Sequence, residues 1–421
     1  MLRLVYNTLI YVAAPLALGA NLWRSLSDPA YRERLGERFG FMRSPVTPNG
    51  IWVHAVSVGE VQAAAALIRE LLRRCPHVSI VVTTGTPTGA QRVRALFANK
   101  VQHIYLPYDL PGAVRRFLDR VQPRLAIVME TEVWPNLFRE CARRNVPLVI
   151  ASARLSQKSV RGYRWLAGLF KDALANGIEI AAQTQGDADR FIGAGANPRH
   201  MHVVGSIKFD LEIADEVRAQ GRVMRESQFA NRDVWVAGST HAIEEDIVLD
   251  AHALLRRSNP RALLVLVPRH PNRFDEVKAA LSKKRIAFVT RSSHVEPNAA
   301  TEVVLVDTLG ELLMFYAAAD VAFVGGTLVP IGGHSLLEPA ALGVAVITGP
   351  HNFNSPDIAR ALLDQGAVLE VRTSEQLAAA LTRLLDDRVK REELGARAFA
   401  FLKRNKGALQ RLVTVLEPHL K

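Results

Sequence analysis

From residue 50 onward the chain repeats one pattern: a short apolar, β-branched run, a stretch with helical periodicity, then another run. This alternation constrains the fold more than any other feature. Parallel neighbours need a long crossover between them, and the crossover is usually a helix. The first set of runs is Ile51–Ser57, Ser79–Thr84, His103–Pro107, Leu125–Glu130, Pro147–Ala153, Ile178–Thr184 and His202–Ile207. Amphipathic stretches such as Val61–Arg74 and Gly112–Arg120 lie between them. Residues 210–231 are polar and charged and read as a linker with helical content. The alternation then resumes with Val234–Ser239, Ala262–Pro268, Ile286–Arg291, Glu302–Asp307, Val321–Thr327 and Ala345–Pro350. The expectation is an α/β chain of two doubly wound, Rossmann-like domains, 25–212 and 233–401, joined by 213–232 and facing each other across a cleft. The closing segment, 402–421, is expected to be a helix packing on the first domain. With 421 residues, 49% of them hydrophobic, the chain has enough apolar surface for two cores.

The N-terminus reads differently. Between Arg3 and Arg24 there is no charge, and Leu4–Trp23 is about the length of a bilayer-crossing helix. Tyr6 and Trp23 suit the interfaces, whereas Asn7, Thr8, Pro15 and Asn21 weaken the apolar signal. Leu18 stands where a cleavage site needs a small residue, which disfavours a removed signal peptide. Residues 1–24 are therefore expected to be a single-pass anchor, with a helix lying in the interface as the competing reading. Arg24, Arg32, Arg34, Arg38 and Arg43 follow the helix, while Arg3 alone precedes it. The positive-inside rule then puts the body in the cytoplasm, and the basic flank would be drawn to anionic lipids.

A net charge of +12 favours an anionic partner. No nucleic-acid motif stands out, so an acidic lipid or phosphorylated substrate is expected rather than nucleic acid. Two distant cysteines, Cys75 and Cys141, suggest neither disulfides nor zinc. No metal constellation emerges either, since Asp187-Ala188-Asp189 falls in a helix-like segment and reads as surface capping.

In open α/β sheets, ligands bind outside the carboxyl ends of the strands, so the residues after each run matter most. Ser57-Val58-Gly59-Glu60 follows the first run. Gly59 allows a tight turn or close approach of a ligand, and the helix dipole favours ionised Glu60. An ionised carboxylate there suits a general base, although it also simply complements the dipole. Glu130-Thr131-Glu132 ends the fourth run, and Lys208 follows the seventh. Each has an ordinary reading as a solvated or capping side chain. In the second half, Pro268-Arg269 ends a run, and an arginine there suits a phosphate. Asp307–Leu312 joins a strand to a helix, where Asp307 or Thr308 would serve as the cap. Val324–Thr327 and Gly332–Ala340 give a glycine-rich turn before a helix. That turn permits backbone approach to a phosphate, with Glu338 placed for ribose hydroxyls. It matches neither dinucleotide nor P-loop patterns.

Taken together, these segments resemble the Kdo (3-deoxy-D-manno-octulosonic acid) transferase family of GT-B glycosyltransferases. The similar stretches are Arg34–Gly40, His54–Glu60, Glu130–Leu137, Ser152–Ser156, Val204–Asp210, Val267–Pro271, Asp307–Leu312, Phe323–Thr327, His334–Ala340 and Gly349–Asn354. Two positions depart from the family pattern: Ser335 stands where Asn is common, and Leu309 where Met is common. A serine can still cap the helix. The resemblance implies transfer of Kdo from CMP-Kdo to a primary hydroxyl of lipid IVA, the lipid A precursor, on the cytoplasmic side of the inner membrane. It implies an inverting, metal-independent reaction without cofactor, feeding lipopolysaccharide synthesis. By that resemblance Glu60 would be the base, Glu130 and Lys208 would support the transition state, and the domain 233–401 would hold the donor. The CMP contacts would come from Pro268, Arg269, Leu309, Gly310, Glu311, Ser335, Leu336, Leu337 and Glu338. Two other readings stay open: a GT-B enzyme using a UDP-sugar, and a non-catalytic basic protein of the membrane surface.

Overall fold

The computed structural model describes residues 2–26, 28–42, 44–155, 167–174 and 177–420. Arg43 and Ser156, invoked above, lie outside the described residues. The chain divides into two compact units, Met1–Asp210 with Asn405–Lys421, and Leu211–Arg404.

The first unit holds β1 (Ile51–His54), β2 (Ile80–Thr84), β3 (Gln102–Tyr105), β4 (Leu125–Met129), β5 (Leu148–Ala153), β6 (Glu179–Ala182) and β7 (Met201–Val203). They pair in the order β3-β2-β1-β4-β5-β6-β7, all parallel. The strand order reverses between β1 and β4. The helices are α1 (Leu2–Arg24), α2 (Val58–Arg74), α3 (Pro87–Phe97), α4 (Pro111–Val121), α5 (Pro135–Arg143), α6 (Ala167–Leu174) and α7 (Gln185–Gly193). Strands buried on both sides explain why their sequences are continuously apolar rather than alternating. One face packs Ile51, Val53 and Ile127 against Ala64, Leu67 and Ile68 of α2. The other packs Trp52, Ala126 and Ile150 against Phe117 of α4 and Phe138 of α5.

The second unit holds α8 (Asp215–Ser227), β8 (Asp233–Thr240), α9 (Glu244–Ser258), β9 (Ala262–Pro268), α10 (Phe274–Lys283), β10 (Phe288–Thr290), β11 (Val303–Leu305) and α11 (Leu312–Ala318). It continues with β12 (Val321–Val324), α12 (Leu337–Ala341), β13 (Ala345–Thr348), α13 (Pro356–Asp364), β14 (Leu369–Glu370), α14 (Ser374–Asp386) and α15 (Arg388–Asn405). Its parallel sheet runs β10-β11-β9-β8-β12-β13-β14, again reversing beside its first strand. The last helix, α16 (Ala408–Leu420), returns to the first unit. Leu412, Val413 and Leu416 of α16 are fully buried in the same cluster as Ile51 and Val53.

Four expectations need amending. The stretch 213–232 has the expected helical content but is part of the second unit rather than a connection between the two. It contains α8, whose Met224 is buried with Phe229 in the core of the second unit. Gly221 lets α8 press on α11, for a Cβ there would stand 2.4 Å from that of Ala317. The closing segment is two helices rather than one, broken at Gly407, which takes a φ of +91°. Asp187 caps, as expected, but from a buried position: Thr184 accepts from its N–H at the start of α7 and donates to its carboxylate, which also accepts from Leu155 N and Arg190. Arg34 and Arg38 turn inward instead of toward lipid. Arg34 bonds the carbonyl of His103 and pairs with Glu37, and Arg38 bonds the carbonyl of Gly85 and lies over Tyr105.

Candidate active site

The reversal between β1 and β4 places two loops side by side at the carboxyl edge of the first sheet. The chain after β1 enters α2 through Ser57, whose hydroxyl accepts from Glu60 N at 3.4 Å. The Glu60 carboxylate reaches back and accepts from Val56 N at 2.8 Å. This reciprocal arrangement is a variant of the capping box in which the carboxylate takes the N–H of Val56, one residue before the N-cap Ser57. It extends α2 back to Val58, three residues before the start expected from the apolar period.

The charge state of Glu60 differs from the sequence expectation. Burial pushes its pKa up to about 8, and Glu130 and Glu132 push in the same direction. The bond from Val56 and the Lys208 ammonium pull it down but do not win. Desolvation of the carboxylate outweighs the helix N-terminus and the single peptide N–H that it accepts.

Gly59 is exposed, takes no left-handed conformation, and a Cβ there would meet nothing nearer than Ser57 Oγ at 3.9 Å. It therefore makes no tight turn, and neither backbone nor packing demands a glycine.

Across the reversal, Glu130 follows β4 in the left-handed region with φ +56°. Its carboxylate meets Lys208 Nζ at 2.8 Å, with both side chains largely shielded. Lys208 sits on the short turn Ile207–Phe209 beyond β7. The fold thus brings Glu60, Glu130 and Lys208 into electrostatic contact from three separate stretches of chain. Glu132, not singled out as a site residue beforehand, is also raised by burial.

In the second unit, the carboxyl edge carries a histidine cluster that the sequence reading passed over. His241 follows β8 and meets His334 Nε2-to-Nε2 at 2.8 Å, with the rings stacked. His270 stands edge-on to His241 at 5.3 Å. Burial lowers all three, His241 to about 4 and His334 to about 3, with Arg269 adding to each. Neutral imidazoles packed beside Arg269 form an environment that an anion would relieve. The available signal was positional: His241 follows the first strand of its sheet, as Glu60 follows β1.

Other expected donor residues lie on the same edge but do different things. The glycine turn after β12 is already satisfied internally: Glu244 accepts from Gly326 N, Thr327 N and Leu328 N at 2.7, 3.0 and 2.9 Å. Its N–H groups are not open to a phosphate, because a carboxylate of the chain occupies them. Ser335 does not cap α12, whose N-cap is Leu336 without a side-chain bond. Leu336 and Leu337 are buried, so their side chains face the core. Glu338 lies in the first turn of α12, close enough to Tyr316 to influence its ionisation. Neither Asp307 nor Thr308 caps α11. Asp307 accepts from Ser292, and Thr308 bonds Glu311. Glu311 is held by Arg291 at 2.9 Å. Leu309 is exposed, and Gly310 takes φ +89° with open space around it. Pro268 closes β9, and Arg269 N bonds Thr240 O at 2.9 Å while its residue stays exposed. Among the described residues no group of three or more His, Cys, Asp or Glu is arranged to hold a metal.

Two parallel seven-stranded sheets, each reversing beside its first strand, form a GT-B type fold, and the family model matched by the second unit makes it that of a glycosyltransferase. A UDP-GlcNAc 2-epimerase from Neisseria meningitidis has this fold, with a TM-score of 0.57 and 14% identity over 88% of this chain and all of that one. Residues 33–211 match the family model of 3-deoxy-D-manno-octulosonic-acid transferase, and residues 245–401 that of glycosyl transferases group 1. The 3-deoxy-D-manno-octulosonic acid transferase of Haemophilus influenzae is 44% identical over all of this chain and 99% of its own. That of Bordetella pertussis is 38% identical over 88% of this chain and 87% of its own. The chain belongs to the 3-deoxy-D-manno-octulosonic acid transferase family.

Proposed function

We propose that this Kdo transferase takes Kdo from CMP-Kdo and adds it, with inversion, to a primary hydroxyl of lipid IVA on the cytoplasmic side of the inner membrane, in lipopolysaccharide synthesis. The observation that carries the reading is Glu60. It is a shielded carboxyl raised to about 8, beside the Glu130–Lys208 pair, at the strand reversal where an α/β sheet receives its ligand. A base tuned near the working pH removes a hydroxyl proton more readily than an ordinary surface glutamate.

In this mechanism ionised Glu60 takes the proton of the acceptor hydroxyl. The acceptor oxygen attacks the anomeric carbon as the bond to the CMP phosphate breaks, and CMP leaves with the bonding pair. One displacement inverts the centre and needs one base. Charge building on the sugar is oxocarbenium-like, by analogy with glycoside hydrolysis. Glu130 holds Lys208 in place through the 2.8 Å pair, so the lysine side chain faces negative charge on the substrates. The open space above Gly59 fits close approach of the acceptor. Arg269, beside His270 and His334, would meet the donor phosphate, and Glu338 the ribose. Leu309 and Gly310 would contribute exposed surface and backbone. Glu311 would act through its pair with Arg291, and Ser335, Leu336 and Leu337 through their main chain.

The test is transfer of labelled Kdo, from CMP-Kdo made in situ, onto lipid IVA by detergent-purified protein, with Glu60→Gln in parallel. A Kdo-lipid from wild type alone is the expected result, and the product mass counts the sugars. Wild type that binds CMP yet makes no product would overturn the acceptor. Protein that binds UDP in place of CMP would overturn the donor.

A further inference from the structure

We propose that α1 does not cross the bilayer but lies flat in its interface, one face docked on the first unit and the other sunk into an anionic lipid surface. The docked face is polar and specific. Tyr6 Oη donates to Asp109 at 2.8 Å, and Asn7 accepts from Asn136 at 2.9 Å. Asn21 donates to Tyr108 Oη at 3.0 Å, and Ala14 is buried against Leu110 and Ala113 with Ile10 beside it. At about 100° per residue these five positions fall within an arc of roughly 100°. Leu4, Val5, Leu9, Val12, Leu16 and Trp23 lie on the opposite side, and Leu16 and Trp23 are 72% and 73% exposed. The asparagines that weakened the apolar signal are thus the docking residues.

The contacts from Tyr6 to Asn21 extend roughly 22 Å along the helix axis, most of the ~30 Å hydrocarbon thickness. A spanning α1 would drag Asp109, Asn136 and Tyr108 into hydrocarbon, or strip away their partners and leave Asn7 and Asn21 in lipid. Lying flat, the helix keeps every one of these bonds and gives its exposed apolar side the one environment that suits it. Arg24 and Arg32, exposed at its C-terminal end, supply charge for anionic headgroups. The dock also reaches the candidate active site. Asp109 accepts from Asn136 N and Leu137 N at the start of α5, and Tyr6 packs near Val133, on the loop that carries Glu130 and Glu132. The membrane seat therefore holds that loop in place. None of this depends on which sugar or acceptor is used.

The experiment uses the full chain. With Cys75→Ser, so that only buried Cys141 remains, Arg3→Cys is treated in intact cells with a membrane-impermeant maleimide. Labelling only after permeabilisation is expected; labelling from outside would establish a crossing helix and overturn the proposal. In parallel, detergent-free protein is floated with vesicles of phosphatidylethanolamine and phosphatidylglycerol, three to one. Wild type is expected to float, Val12→Asp/Leu16→Asp to lose flotation with unchanged circular dichroism, and Arg24→Glu/Arg32→Glu to bind more weakly. Flotation unaffected by the aspartates would overturn the embedded face. Equal binding to phosphatidylcholine vesicles would overturn the anionic preference.

Discussion

Replacing Glu60 by Gln should make the protein more stable and nearly inactive at once. The native carboxyl sits at about 8, against an ordinary value of 4.5, so the folded chain keeps a proton that the unfolded chain has already released. Stability is therefore fullest below about 4.5, falls as pH rises through the interval, and levels off above about 8. The full interval corresponds to at most on the order of 4–5 kcal/mol. Gln keeps the shape and an oxygen for Val56 N but cannot ionise, so it escapes this loss. Urea unfolding of both proteins at pH 4.5, 7 and 9 measures the difference. It should be small at the lowest pH and favour the variant by several kcal/mol at the highest. Turnover should fall by at least ~100-fold, the scale for losing a general base. In wild type, kcat/KM should climb with pH toward about 8, since only about a tenth of the free enzyme holds the ionised base at pH 7. A stability difference independent of pH would mean that Glu60 is an ordinary ionised cap, and the mechanism would lose its base.

Arg269→Ala should weaken CMP binding by at least ~10-fold, the scale of one lost charge-assisted contact, while leaving the melting temperature alone; unchanged calorimetric affinity would refute the phosphate role. Gly221→Ala should lower the melting temperature by forcing α8 off α11, at a cost of roughly 1–3 kcal/mol, and an unchanged melt would return 213–232 to a loose connection. Turnover should persist in EDTA, since Arg269 and Lys208 are assigned the departing and developing charges; loss with rescue by magnesium would refute that.

The sheets were legible because strands buried on both faces leave continuous apolar runs. The central strands of both sheets announce themselves this way, whereas the outer strands β3, β7 and β10 are only partly buried and show a shorter run. The seventh of the second, Leu369–Glu370, has two residues and no run to see. The helical content of 210–231 was legible, but the packing of α8 was not, because it buries little along its length and its closest approach to α11 is made by a glycine, which carries no hydrophobic signal. At the first site, the rule that ligands gather beyond strand ends found Glu60, Glu130 and Lys208. The ionisation of Glu60 was illegible because burial is decided by chain far away. The same rule, applied after β8, would have found His241. The claim of Glu244 on the N–H groups after β12 joins residues more than eighty positions apart, and no local pattern encodes it.

The chain passes from the first unit to the second after Asp210 and returns at Asn405. Asp210 itself clasps the returning strand of chain, accepting from Gly407 N and Leu409 N at 2.6 and 2.7 Å. The core around β1 is therefore incomplete until its last thirteen-residue helix has been made. During synthesis the second unit has all its residues before the first does, reversing the usual N-terminal-first order. A message truncated anywhere before α16 would leave Ile51 and Val53 without part of their cover. The half of the protein carrying Glu60 thus closes only after the whole second unit and α16 have been made.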